Sequence, residues 1–98
     1  MKDPTSMLEA RIVREIHRAL KQHGANAALQ AEARKRTRAD QQFLSRAYET
    51  LERLGANEWL LVTLGSWPDS ASDEMTYESL KAINEGRFAV NITAGTEA

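Results

Sequence analysis

Apolar residues recur at helical spacing along the first half of the chain. In the first such stretch, four of them lie four positions apart: Leu8, Ile12, Ile16 and Leu20. Charged residues fill the other side, so the stretch reads as an amphipathic helix. Ser6 followed by Glu9 has the pattern of a capping box, and Gly24 is typical of a helix end. We expect a first helix over 7–23.

Two more helices are expected before Gly55. Asn26 can cap a second helix, whose apolar face is mostly alanine. A third helix is indicated by a stripe of six apolar residues: Phe43, Leu44, Ala47, Tyr48, Leu51 and Leu54. Thr37 with Asp40 forms a second capping pattern between them. One continuous helix over 27–54 is the alternative, but at about 42 Å it would overhang so small a domain, so we favour a break.

The pattern changes in the second half of the chain. Residues 58–64 form a short apolar run whose Trp, Val and Thr content favours a strand over a buried helical turn. Ser70 or Ser72 can cap a helix after it, and residues 88–93 alternate with a period of two. We therefore expect an α+β fold, mostly helical. Three N-terminal helices precede strand, helix and strand, and the two strands pair as a small antiparallel ribbon.

The length of 98 residues indicates one domain over 1–98, with flexible ends at 1–6 and 94–98. A two-stranded ribbon is marginal in water, so helices or a partner chain must cover it, and a homodimer is possible. Trp59 is expected in the core. The other core residues expected are Leu8, Ile12, Ile16, Leu20, Leu44, Tyr48, Leu51, Leu61, Leu80, Ile83, Val90 and Ile92.

Charge is divided along the chain. Residues 1–54 contain eleven Lys or Arg and seven Asp or Glu, whereas residues 55–98 contain two and seven. The net charge of −1 therefore conceals a dipolar surface, which suggests a partner that meets one end of the molecule.

The strongest binding candidates are the basic run Arg34–Arg38 and the loop residue Trp67. The run could contact phosphates or an acidic protein surface, although a solvated helix face is the plainer interpretation. Trp67 is an interface anchor if it projects, but a return onto the core is the more favourable fate of the indole. The partner-binding residues we expect are Arg34, Lys35, Arg36, Arg38, Arg46 and Trp67.

Little in the sequence suggests chemistry. The chain has no cysteine, and its two histidines, His17 and His23, point to different sides of one helix. No phosphate-binding loop or nucleophile elbow is found. We expect no catalytic residues, no metal and no cofactor. With no membrane-length apolar run and no signal-peptide pattern, we expect a cytoplasmic protein without membrane contact.

Two short segments resemble known families. A helix running into Glu58–Val62 resembles the closing segment of some small phage-encoded anti-CRISPR proteins. Leu64–Trp67, followed by acids, resembles the toxin-wrapping tail of some small bacterial antitoxins, although a patterned helix and strand follow where those proteins have a disordered tail. Both resemblances imply small phage or bacterial proteins that act by occupying a partner, and neither transfers a functional residue.

The sequence thus predicts a non-enzymatic interaction protein that binds a macromolecular partner and modulates or inhibits it. A phage-type inhibitor of a host nucleic-acid-handling complex is the most concrete form, with a protein or a protein–nucleic acid complex as partner. The alternatives are a small DNA- or RNA-binding regulator that uses the Arg34–Arg38 run directly, and an antitoxin-like accessory protein.

Overall fold

The computed structural model describes residues 4–67 and 71–87, with side chains from residue 7 onwards. Within these ranges the regular structure is helical, and no strand is present. The helices are α1 (Pro4–Gln22), α2 (Ala27–Lys35), α3 (Gln41–Arg53), α4 (Glu58–Ser66) and α5 (Asp73–Asn84).

Helix α1 lies at the centre of the packing. It contacts α2, α3 and α5, while α4 packs against α3 and α5. Five α1 residues are fully buried: Ile12, Val13, Ile16, Ala19 and Leu20. Burying one large aliphatic side chain stabilises a fold by about 1.5–3 kcal/mol, so this stripe is a main source of stability.

A Gly-Ala-Asn tripeptide makes two of the helix-to-helix corners. Gly24 and Gly55 each adopt a positive φ, near +80°, which glycine reaches without a Cβ clash. The next alanine is buried in both corners, and its N–H returns to a carbonyl of the preceding helix at 2.9 Å. Asn26 and Asn57 then accept a backbone N–H from the first turn of the following helix, at 2.8 and 2.7 Å.

The break between α2 and α3 is confirmed. Helix α2 ends at Lys35, and α3 starts after Asp40, whose Oδ1 accepts the N–H of Phe43 at 2.8 Å. Asp40 is thus the cap residue, where the sequence pattern indicates Thr37. Ser72 caps α5, one of the two serines expected, by accepting the N–H of Met75 at 3.2 Å.

The predicted α+β fold is wrong. Residues 58–64, expected as a strand, belong to helix α4, in which the buried Leu60 and Leu64 lie one turn apart. Asn57 supplies the cap that a helix needs at this point. The ribbon loses one of its two strands, so the predicted strand pairing cannot form. The other expected strand, 88–93, lies outside the described residues.

The predicted start of the first helix is also wrong. Helix α1 begins at Pro4, so Ser6 lies inside its first turn and not at the position before the helix. A proline suits this first turn because its missing N–H would have no helical partner there. The Glu9 carboxylate accepts the N–H of Ala39 at 2.9 Å instead of completing a capping box.

The predicted core is largely confirmed where the structure describes it. Ile12, Ile16, Leu20, Leu44, Leu51 and Leu80 are buried, and Tyr48, Leu61 and Ile83 pack against them. Leu8 is only half-buried, and Val90 and Ile92 lie outside the described residues. The placement of Trp59 in the core is wrong, because it lies 48% exposed on α4, one position from the inward-facing Leu60. The prediction omitted several buried residues, among them Val13, Leu29, Phe43, Leu60 and Leu64.

A pair of alanine substitutions in α4 tests the helix against the strand. Residues 60 and 62 would share one face of a strand, but in the helix Leu60 is fully buried and Val62 is 52% exposed. We expect Leu60→Ala to lower the free energy of unfolding by about 2–5 kcal/mol, and Val62→Ala to change it by less than about 1 kcal/mol. Urea unfolding measures both values, and comparable losses in the two variants would contradict the helix.

Candidate functional site

The basic run lies at the end of α2 and in the loop that leads to α3. Arg34 and Lys35 occupy the last turn of α2, Arg36 is its C-cap residue, and Arg38 lies in the loop. Asp40, which caps α3, ends the same loop. These four cations and Arg46 on α3 differ in their contacts with carboxylates and in their exposure. These differences determine which of them a partner could reach.

Glu32 on α2 holds two of these arginines. Its carboxylate accepts two hydrogen bonds from the Arg46 guanidinium, both at 2.6 Å. It also accepts the Nε and Nη2 protons of Arg36, at 3.1 and 2.8 Å. Nη1 of Arg36 donates in turn to Asp40 at 2.9 Å. We call this group of Glu32, Arg36, Asp40 and Arg46 the ion-pair network.

The ion-pair network also covers an edge of the core. The Arg36 guanidinium lies 5.0 Å from the ring centre of Phe43, which is fully buried. A guanidinium over an aromatic face is attracted by the ring quadrupole, so Arg36 interacts with both the carboxylates and the ring. These contacts give Arg36 a structural role in joining α2, the loop and α3.

The same contacts shift three pKa values. Hydrogen bonds from Arg46 and then Arg36 lower the pKa of Glu32. The pKa of Asp40 is lowered first by the backbone N–H of Phe43 and then by Arg36. The hydrogen bond to Glu32 raises the pKa of Arg36. Each shift favours the charged form, as expected where opposite charges donate and accept hydrogen bonds.

Helix α1 provides a second anchor for the loop. The Glu9 carboxylate that accepts the Ala39 N–H also faces Arg38, whose Nε lies 3.9 Å from its other oxygen. Within the described part of the chain, this long ion pair is the one polar contact of the Arg38 side chain, which is 82% exposed. The loop backbone is therefore held at both ends while the Arg38 side chain points into solvent.

The structure thus divides the predicted site. Arg36 and Arg46 belong to the ion-pair network, whereas Arg34 and Lys35 are exposed and their side chains make no hydrogen bond or ion pair in the described part of the chain. We call the exposed group of Arg34, Lys35 and Arg38 the cationic corner. It keeps three of the six residues expected to bind a partner.

Trp67, also expected as an anchor, lies in the core. It is 6% exposed, and its Nε1–H donates to Asp73 Oδ1 at 2.7 Å. The indole has therefore folded back over the core, with its polar edge satisfied by the first turn of α5. Truncation of Trp67 would remove core contacts, so Trp67 does not project as the interface anchor that was one of its two expected fates.

Some structurally important residues are missed at the sequence level. Glu32 lies four positions before Arg36, a spacing that favours ion pairs on a helix and is a usable signal. Asp40 lies four positions after Arg36 but across the loop, where this spacing is no signal. The bridge from Glu32 to Arg46 spans fourteen positions and has no local signal. The same holds for Asn84, which donates to the backbone and side chain of Glu15 and ties α5 to α1.

Neither a metal centre nor a membrane span is found in residues 4–67 and 71–87. No group of three or more His, Asp or Glu side chains in these ranges is arranged to hold a metal ion. None of the described helices has the length and apolar character that crossing a bilayer requires.

Comparison with protein-family models, curated proteins and solved structures gave no match to this chain. The anti-CRISPR and antitoxin resemblances therefore stay predictions.

The lowered pKa values predict that the ion-pair network fails in acid. A carboxylate whose pKa is lower in the folded state stabilises the fold above its unfolded pKa, about 4, and this stabilisation is lost as the pH falls through the folded pKa. We expect Glu32→Gln to reduce the free energy of unfolding by about 1 kcal/mol at neutral pH. The difference from wild type should shrink steadily below about pH 4.

Urea unfolding across this pH range measures the effect. Glu49→Gln is the matched control, because Glu49 is an exposed α3 glutamate with no side-chain hydrogen bond or ion pair in the described part of the chain. If Glu32→Gln showed the same pH profile as Glu49→Gln, the stabilising role of the ion-pair network would be wrong.

Proposed function

We propose that this protein is a non-enzymatic binding protein that uses its cationic corner to recognise an acidic surface of a macromolecular partner. The observation that carries the proposal is the division of the basic run. Two arginines are held by carboxylates, while Arg34, Lys35 and Arg38 remain exposed on a backbone that those contacts anchor.

The anchoring supports a role in recognition. A flexible loop loses conformational entropy when it binds, whereas a loop held in place before binding avoids much of this loss. Here the Glu9 carboxylate accepts a hydrogen bond from the Ala39 N–H, and Arg36 donates hydrogen bonds to both Glu32 and Asp40. The backbone carrying Arg38 is thus positioned in advance, and only the side chain must order.

Electrostatics support an acidic partner. Three cations close in sequence attract a negatively charged surface and speed its approach, although the chain as a whole carries a net charge of −1. The shifted pKa values are accounted for by the contacts of the ion-pair network. They therefore need no catalytic explanation, which leaves binding as the simpler role for this region.

Occupation of a partner's surface can also modulate or inhibit that partner, which is the effect expected from the short phage-protein resemblance. A partner that works through acidic residues on its surface would have those residues covered by the cationic corner. A partner that handles nucleic acid would have part of its working surface blocked in the same way. Direct binding of DNA or RNA phosphates by the same three cations is the second candidate function, favoured by their exposure and spacing.

Neutralising the corner tests the proposal. We expect the double variant Lys35→Gln/Arg38→Gln to keep its thermal stability and to lose partner binding by about tenfold or more. The matched control is Arg11→Gln/Arg53→Gln, which removes the same charge from exposed positions on α1 and α3.

The measurement is quantitative affinity capture from a bacterial lysate, with and without nuclease, followed by titration of the captured partner. Loss in the corner variant alone, unaffected by nuclease, supports a protein partner. Capture that disappears on nuclease treatment supports the nucleic-acid candidate. Equal binding by the corner and control variants would refute the proposal.

A further inference from the structure

A shallow cleft between α1 and α2 adjoins the cationic corner through Arg34. Its volume is about 490 Å³, within the general range of about 300–1,000 Å³ for ligand clefts. Six residues line it: His17, Ala25, Ala27, Gln30, Ala31 and Arg34. We call it the α1–α2 groove.

The α1–α2 groove differs from the neighbouring clefts in its charge. Three other clefts lined by described residues each contain two glutamates: Glu49 and Glu52, Glu74 and Glu78, and Glu32 and Glu49. Among the residues that the structure describes, no carboxylate lines the α1–α2 groove, and Arg34 is the one charged residue that does. A cation without a carboxylate in the same cleft is complementary to an incoming anion.

The donors in the groove are available. The side chains of Arg34 and His17 make no hydrogen bond or ion pair in the described part of the chain. Gln30, by contrast, donates its amide to the Ala25 carbonyl at 2.6 Å and so helps to shape one end of the groove. A guanidinium that is not already engaged can take a carboxylate through two parallel hydrogen bonds.

Helix α1 adds positive charge beside the groove. Arg14 and Lys21 are both exposed, and they lie three residues before and four residues after His17. This spacing places all three on one side of the helix. An anion in the groove would therefore lie between the cations of α1 and Arg34 of α2.

The lining favours a peptide over a nucleic acid. Ala27 and Ala31 are accessible small apolar residues of the lining, suited to contact with the aliphatic part of an Asp or Glu side chain. Among the described residues no Phe, Tyr or Trp lines the groove to stack on a base, and the pI near 6.1 is below the usual range of nucleic-acid-binding domains. Resting on the function proposed above, we infer that the α1–α2 groove binds an acidic peptide segment of the partner protein, with Arg34 as the carboxylate ligand.

Two neighbouring alanines provide a closely matched test. Ala27 and Ala28 are both exposed in the first turn of α2, but Ala27 lines the α1–α2 groove and Ala28 lines the cleft on the other side. A glutamate is tolerated at either position because acids are favourable near a helix N-terminus. Ala27→Glu therefore places a negative charge in the groove without a greater risk to the fold than Ala28→Glu.

The probes are a fluorescent oligo-glutamate peptide and a single-stranded oligonucleotide of equal charge, both followed by anisotropy. Variants with unchanged thermal unfolding are compared. We expect Ala27→Glu and Arg34→Gln to weaken peptide binding about tenfold, and Ala28→Glu to leave it within about twofold of wild type.

The outcomes separate this inference from the proposed function. Equal peptide affinities for Ala27→Glu and Ala28→Glu would overturn the groove as the peptide-binding site. The proposed function would still stand in that case if Lys35→Gln/Arg38→Gln lost partner binding. Tighter binding of the oligonucleotide than of the peptide would overturn the peptide as occupant. If the wild-type protein bound neither probe, the groove would not be a peptide-binding site, and the cationic corner would not be a binding surface for acidic partners.

Discussion

The buried stripe of α1 is the constraint on which the rest of the structure depends. Because Ile12, Val13, Ile16, Ala19 and Leu20 are all inaccessible to solvent, α1 can serve as a common packing surface for α2, α3 and α5. The stripe is wider than a two-helix contact needs, since Val13 and Ala19 extend it beyond the residues spaced four apart. The opposite side of α1 is left polar. The α1–α2 groove forms where that polar side meets the small residues of α2.

Helix α2 explains why a polar network is needed. Its buried residues are only Leu29 and Ala33, so it contributes little apolar area to the core. A nine-residue helix is marginal without tertiary contacts. The hydrogen bonds from Glu32 to Arg46 join α2 to α3 where hydrophobic contact is small. The same small residues that weaken the packing of α2 leave the groove open, so the feature that requires the ion-pair network also creates a place for a ligand.

The sequence is sufficient to predict that the first three helices exist and where they end, because those signals are local, although it misplaces the start of α1 and the cap of α3. Capping residues, glycine ends and the 3.6-residue period all act within one or two turns. The error at α4 arises because its sequence is apolar on nearly every side and so shows no period. β-propensity then favours a strand, although it measures mainly how a side chain packs on a half-buried surface. A better signal is present in the repeated Gly-Ala-Asn. The first copy is read correctly as a helix end followed by a cap, and Asn57 has the same position in the second.

The candidate site shows a different limit, because the availability of a cation is a tertiary property. The sequence places five basic residues in the expected site, but it cannot say which of them the fold neutralises. Arg46 meets a carboxylate fourteen positions away, and the loop backbone meets Glu9 across thirty. These long-range contacts place Glu32 and Glu9 at the α2–α3 joint. Since neither carboxylate lines the α1–α2 groove, Arg34 has no counter-charge there among the described residues. A basic surface can therefore arise on a chain of almost zero net charge, because its carboxylates are engaged on other sides of the same helices.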